Sequence, residues 1–207
     1  RDLHLCDRRQ RQMFIRDRFK TLLQGNVDAI YFNEKLYIGK REEVFVYNES
    51  TGNFDLYYHL AGKDITLSCL HLDEKKNLWM GTTSNGLYCL SGDKKISQPV
   101  TRGNIASIYE DSSKELWICT WEEGLYRIKT DSTIENFRHD PKNPNSICAD
   151  FVRSCCEDNA GNLWIGTFHG LNRYEKSTGK FQLYTANANK PDGLTHSSIW
   201  CLSLIHI

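Results

Sequence analysis

The chain has 207 residues, with 26 basic and 26 acidic side chains and a sequence pI near 7.2. Because the charges balance, there is no broad basic field to hold phosphates, and nucleic-acid binding has little support. No apolar run approaches the roughly 18 residues that cross a bilayer, so we expect no membrane contact by this segment. Aromatic residues make up 12% of the chain and only four residues are proline, a composition typical of a packed core.

Both ends of the chain resemble translations of the two strands of one sequencing adapter. The resemblance lies in Met13–Arg18 at one end and Leu202–Ile207 at the other. We therefore expect residues 1–18 and 202–207 to be adapter-derived or disordered, and we exclude both segments from the fold reasoning.

Between these ends, four segments share a Leu-aromatic-hydrophobic core. They are Leu36–Gly39, Leu78–Gly81, Leu116–Cys119 and Leu163–Gly166. Their leucines lie 42, 38 and 47 residues apart, within the range of roughly 40–50 residues for one blade of a β-propeller. The spacing predicts blades at about residues 27–60, 65–100, 104–139 and 150–186, with the start of a further blade at 197–201.

Each unit predicts four short strands, A to D, because apolar runs of four to six residues alternate with turn residues. In the A–B turn of the fourth unit, Gly161 can take the positive φ that such a loop often needs. Lys76 and Lys114 hold the equivalent place in two other units. The predicted fold is an all-β propeller fragment of about four consecutive four-stranded blades that form an incomplete ring with bare blade edges.

The core tryptophans and the acidic pairs are predicted to be structural. In a strand such as Leu163–Ile165, the Leu and Ile point one way and Trp164 the other, so both faces can pack on neighbouring blades. This favours Trp79, Trp117 and Trp164 as core residues over a sugar-binding platform. The pairs Glu110-Asp111 and Glu157-Asp158 recur at one place in the repeat, which favours turn formation over acid–base catalysis.

The fourth unit resembles the two-component regulator propeller repeat. The resemblance lies in Glu157-Asp158, Leu163–Thr167, Gly170–Tyr174 and Thr178–Phe181, and the preceding segment His139–Ile147 resembles the family's inter-blade segment. It extends over about residues 27–201, although Tyr37 stands in the first unit where the others have Trp. The resemblance implies the periplasmic sensor region of a bacterial hybrid two-component histidine kinase. It also implies an oligosaccharide ligand, further blades of the same parent chain and a homodimer of the parent, whereas the kinase is not in this sequence.

The turns between strands B and C are the candidate ligand site because the repeat varies most there, and variable loops on a fixed scaffold usually carry binding. Trp121 lies in such a turn, where it could stack on a sugar while Glu122 and Glu123 bind hydroxyls. The alternative is that Trp121 packs on a neighbouring loop. The full candidate set is Trp121, Glu122, Glu123, Phe168, His169, Arg41 and Asn85.

No catalytic residue, metal site or cofactor is predicted. The eight cysteines include no Cys-x-x-Cys pair, and so many thiols fit poorly with an oxidising periplasm. Two other classes remain open. A propeller enzyme acting on polysaccharide would have only Glu122, Glu123 and His169 to use. A protein-interaction propeller of the WD-repeat kind is also open, although no core Trp here is followed by Asp.

Overall fold

The structure, a computed structural model, describes residues 27–62, 64–98, 100–186, 194 and 196–202. The adapter-like segment 1–18 and residues 203–207 lie outside this part of the chain. The described residues form sixteen strands and no helix, so the all-β prediction is confirmed. No helix that could span a membrane occurs among them.

The strands form four antiparallel sheets, each with its strands in chain order. Blade I contains β1 (Ala29–Asn33), β2 (Lys35–Lys40), β3 (Glu43–Asn48) and β4 (Asn53–His59). Blade II contains β5 (Leu67–Leu72), β6 (Leu78–Thr82), β7 (Leu87–Leu90) and β8 (Ile96–Ser97). Blade III contains β9 (Ile105–Glu110), β10 (Leu116–Thr120), β11 (Leu125–Ile128) and β12 (Ile134–Phe137). Blade IV contains β13 (Val152–Glu157), β14 (Leu163–Thr167), β15 (Leu171–Glu175) and β16 (Lys180–Tyr184).

The first strands of the blades adjoin one another, since β1 contacts β5, β5 contacts β9 and β9 contacts β13. This is the stacking of a propeller, in which strand A is innermost and each blade covers its neighbour. The four sheets do not close into a ring. The predicted fold class, an incomplete propeller of four four-stranded blades, is therefore confirmed.

The core between two blades is built from the aromatic residue of one and the aliphatic residues of the next. Trp117, which is fully buried, packs in one cluster with Leu163 and Ile165 of blade IV. Trp79 packs in the same way with residues of blade III, and Tyr37 with residues of blade II. The prediction that the Trp and its flanking aliphatic residues serve opposite faces is confirmed.

In blades II, III and IV, the aspartate before the A–B turn fixes the tryptophan that follows it. The indole Nε1 atoms of Trp79, Trp117 and Trp164 donate to Asp73, Asp111 and Asp158 over 2.9, 2.9 and 2.8 Å. The other carboxylate oxygen accepts backbone N–H groups of the turn, for example from Asn162 over 2.9 Å. The predicted structural role of these aspartates in the turn is confirmed.

The turns also take the predicted backbone conformation. Lys76, Lys114 and Gly161 have φ of 64°, 65° and 79°. This is the left-handed region, which costs a residue with a Cβ roughly 1–2 kcal/mol. The two lysines therefore carry this cost, whereas Gly161 does not.

A polar contact joins each pair of blades at one position of strand A. Tyr31 donates its hydroxyl to the carbonyl of Leu72 over 3.1 Å, His71 Nε2 lies 3.3 Å from Glu110 Oε2, and the Tyr109 hydroxyl accepts the amide of Glu157 over 3.1 Å. Each first-named residue lies opposite the core aromatic residue of its own blade. These contacts fix neighbouring blades against each other along the inner strands.

Candidate ligand-binding end of the propeller

Three buried threonines fix the B–C turns. Thr82, Thr120 and Thr167 end the second strand of their blades, and each Oγ1 donates to the carbonyl of a turn glycine over 2.8, 2.7 and 2.8 Å. The glycine of the blade II turn approaches other backbone closely, because a Cβ on Gly86 would lie 1.8 Å from the carbonyl oxygen of Thr101. The turns are therefore rigid supports for the side chains at their tips.

The B–C turns lie beside the connections that enter each blade. The amides of Thr83, Trp121 and Phe168 donate to the carbonyls of Thr66, Asn104 and Phe151 over 2.9, 3.1 and 3.1 Å. Each acceptor is the residue immediately before a strand A. The variable turns and the inter-blade connections therefore share one end of the propeller.

An aromatic surface lies at this end, where blades III and IV meet. It consists of Trp121, Phe151, Phe168 and His169. The ring centroids of Trp121 and Phe151 are 5.0 Å apart, those of Phe151 and Phe168 5.7 Å, and those of Phe168 and His169 5.5 Å. Trp121 is 38% exposed and Phe168 is 50% exposed. Exposed aromatic groups gathered in this way mark a binding surface more often than scattered ones do.

Arg153 lies beside the aromatic surface. Its Cζ is 5.4 Å from the ring centroid of Trp121, 5.2 Å from that of Phe151 and 3.5 Å from that of Trp200. Trp200 is 68% exposed, so it extends the surface toward the end of the described chain. A guanidinium this close to ring faces is held by cation–π attraction.

A β-bulge gives Arg153 its position. The pairing of β13 with β14 shifts between Val152 and Ser154, so Arg153 is the extra residue. The first strands of blades II and III have the same irregularity, with Ser68 and Ala106 at that place. Since bulges redirect a side chain, the change to arginine in blade IV introduces a long cation at this end of the propeller.

The predicted carboxylates have different surroundings. Glu122 is exposed, and its backbone carbonyl accepts Arg138 Nη2 over 2.9 Å. Glu123 is half-buried, and its Oε2 accepts the hydroxyls of Thr101 and Tyr126, the latter over 2.9 Å. Glu123 is therefore engaged inside the protein, whereas Glu122 presents a carboxylate to solvent.

The structure does not show Arg41 or Asn85 in contact with the aromatic surface. The Arg41 amide donates to Asp28 Oδ2 over 2.6 Å, in the turn of blade I. The Asn85 amide donates to Thr82 Oγ1 over 2.9 Å, and its side-chain oxygen accepts the Ser84 hydroxyl. Both residues lie in B–C turns, as expected, but in blades I and II.

Reactive thiols and metal ligands do not stand out in the described part of the chain. Its seven cysteines are free, and Cys119 Sγ lies 3.6 Å from Cys155 Sγ in the core between blades III and IV. The contact with the Cys119 thiol, together with burial, raises the pKa of Cys155 well above its usual value. Burial raises the pKa of Cys69 to about 12. No group of three or more His, Cys, Asp or Glu side chains converges on a metal-sized site among these residues.

The chain is a segment of a β-propeller. An aromatic and cationic surface lies at one end of it, where blades III and IV meet. Within this segment, residues 146–169 match the model of the two component regulator propeller. The resemblance inferred from the repeat is thereby confirmed, and the match extends over the connection into blade IV and its first two strands. No curated protein sequence matches the chain.

Several solved structures are similar to the chain in fold. The chain is similar to the extracellular domain of a proposed hybrid two component system from B. thetaiotaomicron, with 26% identity and a TM-score of 0.62, over 77% of this chain and 22% of that one. A second such domain from B. thetaiotaomicron has 18% identity and a TM-score of 0.60, over 84% and 30%.

A streptogramin B lyase structure has 16% identity and a TM-score of 0.62, over 81% of this chain and 58% of the lyase. At this identity the likeness shows a shared fold alone. The chain spans less than two thirds of each of these three proteins.

Proposed function

We propose that this chain is a ligand-sensing segment of the propeller of a hybrid two-component receptor. The matched repeat and the likeness to two extracellular domains of such systems support this proposal. In this proposal the segment lies on the periplasmic side of the membrane and is not an enzyme. Further blades of the parent chain complete the ring, the parent forms a homodimer, and a kinase outside this sequence receives the signal.

The ligand in this proposal is an oligosaccharide bound at the end that carries the B–C turns. The aromatic surface is the observation that supports it, since Trp121 and Phe168 are more than one-third exposed although each ring is held by neighbours. Sugar-binding sites combine apolar ring faces with a few polar groups that fix orientation. Glu122 and His169, both exposed, supply such groups, while Glu123 holds the turn in place.

Calorimetric titration of the chain with oligosaccharides from several plant polysaccharides tests this proposal. We expect Trp121→Ala to weaken the binding of the recognised oligosaccharide about fivefold, since stacking on one aromatic ring contributes about 1 kcal/mol. Tyr57→Ala is the matched control, because Tyr57 is an aromatic residue of equal exposure, 39% against 38%, on β4 of blade I. Equal affinities of the wild type and Trp121→Ala would contradict the proposed site.

The propeller enzyme remains a second candidate because a lyase shares the fold. Chromatography of the titrated oligosaccharides after prolonged incubation separates the two functions. A sensor leaves the oligosaccharide intact. Product formation that is lost in His169→Ala would favour the enzyme.

A further inference from the structure

We propose that the recognised oligosaccharide carries an acidic group, a carboxylate or a sulfate ester, and that Arg153 binds this group. The inference rests on the proposed function, because it assigns a chemical class to the ligand of the same surface.

Arg153 has no anionic partner among the residues that the structure describes. No carboxylate of the described residues lies within ion-pair distance of its guanidinium, and no described residue forms a hydrogen bond with it. Its Nε is buried and unpaired. A partly buried charge is costly unless it is paired, so an anionic ligand would supply the partner that the described residues do not.

Arg127, an arginine of blade III, also lies over a tryptophan. Its Cζ is 5.2 Å from the ring centroid of Trp117, and its nitrogens lie 2.5 Å from Glu115 and 3.4 Å from Glu135. In that setting the protein supplies both the ring and the carboxylates. In the described part of the chain, Arg153 has the rings but not the carboxylates.

Arg153 also lies on the surface that the ligand would occupy. The side chain lies against Trp121, Phe151 and Trp200, at the end of the propeller where exposed rings are gathered. With Nε buried, the two terminal nitrogens remain as donors, and a guanidinium can bind carboxylate or sulfate oxygens with two of them. A sugar stacked on the rings would thus place its acidic substituent beside Arg153.

Titration with matched oligomers tests this inference. Galacturonic acid oligomers and galactose oligomers of equal length and linkage differ only in the carboxylate, and a sulfated galactose oligomer serves as the third ligand. We expect one acidic series to bind at least about tenfold more tightly than the neutral one, because hydrogen bonds to charged groups are among the strongest in proteins. The acidic series that binds more tightly shows whether Arg153 binds a carboxylate or a sulfate ester.

Two arginine variants test whether Arg153 causes the preference for the acidic oligomer. Arg153→Gln is expected to remove the preference for the acidic oligomer. Arg173→Gln is the matched control, since Arg173 is also half-buried with a buried, unpaired Nε but lies on β15, opposite Trp164. The salt dependence of the wild-type protein gives a readout that needs no variant, because the preference should shrink as sodium chloride screens the ion pair.

The outcomes separate the inference from the proposed function. Equal binding of neutral and acidic oligomers overturns the acidic ligand and leaves the oligosaccharide site in place. A preference that survives Arg153→Gln, or that does not depend on salt, overturns the role of Arg153. If no oligosaccharide binds, the proposed function fails, and this inference fails with it.

Discussion

Lys176 Nζ lies 2.7 Å from Asp111 Oδ2, which connects the last turn of blade IV to the first turn of blade III. The same ammonium lies 2.6 Å from Glu157 Oε1 of its own blade. The side chains of Asp111 and Glu157 are 0% and 6% exposed, so one lysine forms ion pairs with two buried carboxylates at the junction. The Asp of each acidic pair thus fixes the A–B turn and the following tryptophan, whereas Glu157 takes part in the contact between blades III and IV.

Lys176→Met should therefore destabilise the fold. Removing the cation leaves two buried carboxylates without their ion pair, and such a loss costs about 3 kcal/mol or more. Urea unfolding followed by circular dichroism measures the change. Lys95→Met is the control, because the Lys95–Asp93 pair has a similar distance of 2.9 Å but its side chains are 84% and 55% exposed. Exposed pairs contribute little, so equal effects of the two variants would contradict the importance of the junction.

We expect the stability of the fold to fall in acid, because the aspartates of the A–B turns become protonated. Burial acts to raise the pKa of Asp158, but the hydrogen bonds donated by Trp164 and Asn162 outweigh it and hold this pKa at about 2. The pKa of Asp111 is likewise lowered, since the hydrogen bonds from Lys176 and Trp117 outweigh its burial. Because the folded state prefers the ionised form, this stabilisation is complete above the unfolded pKa of about 4 and declines as the pH falls toward 2.

Urea midpoints measured at pH 7, 4 and 3 test this pH dependence. Asp158→Asn keeps an acceptor oxygen but cannot ionise, so its stability should fall less steeply below pH 4. Glu49→Gln, an exposed turn residue of blade I, should follow the wild type. If the stability of Asp158→Asn fell as steeply below pH 4 as that of the wild type, the Asp158 carboxylate would not contribute to the pH dependence.

The two similar residues Trp117 and Trp164 should differ in their contribution to stability. Trp117 is fully buried between blades III and IV, whereas Trp164 is only half-buried on the face of blade IV that points away from blade III. Replacing a fully buried Trp with Ala costs about 3–5 kcal/mol, and we expect Trp164→Ala to cost about half as much. Urea unfolding of both variants measures this difference. Equal losses in the free energy of unfolding would contradict this prediction, because they would mean that Trp164 is as buried in solution as Trp117.

Blade I should cause self-association of this chain. Ile30, Phe32 and Leu56 are 44%, 55% and 56% exposed, and they share a face with Leu36 and Ile38 through the strand pairing. In the other blades this face is covered by the preceding blade. Exposed apolar sheet faces promote aggregation.

Sedimentation velocity of the double variant Phe32→Ser, Leu56→Ser tests the role of this face. We expect a larger monomer fraction than in the wild type. Ile134→Ser is the control, since Ile134 is 42% exposed on the fourth strand of blade III. A wild type that is monomeric at tens of micromolar would contradict the prediction.

The repeat made the fold predictable because one local pattern, acid, turn and Leu-Trp, specifies the same strands, turn and tryptophan contact in three blades. The candidate site was predictable only in part. Trp121 and Phe168 could be identified because they interrupt the repeat in a turn. The contributions of Phe151 and Arg153 depend on how blade IV approaches blade III, and Trp200 approaches Arg153 from 47 residues further along the chain.

A signal for Arg153 was nevertheless present in the sequence. When the units are aligned, a charged residue stands where blades II and III have Ser68 and Ala106. The Glu110–His71 contact offered no comparable signal, because its partners are 39 residues apart in the chain. Contacts between repeats depend on the angle between blades, which the pattern within one blade does not specify.

The indole N–H resonances of the five tryptophans give the most direct test of the binding end. Trp79, Trp117 and Trp164 donate to aspartates within the blades, whereas Trp121 and Trp200 lie at the aromatic surface. On titration with the recognised oligosaccharide, two-dimensional ¹H–¹⁵N spectra should show shifts for Trp121 and Trp200 alone. Shifts of the three aspartate-bound indoles, with Trp121 and Trp200 unchanged, would contradict ligand recognition at this end of the propeller.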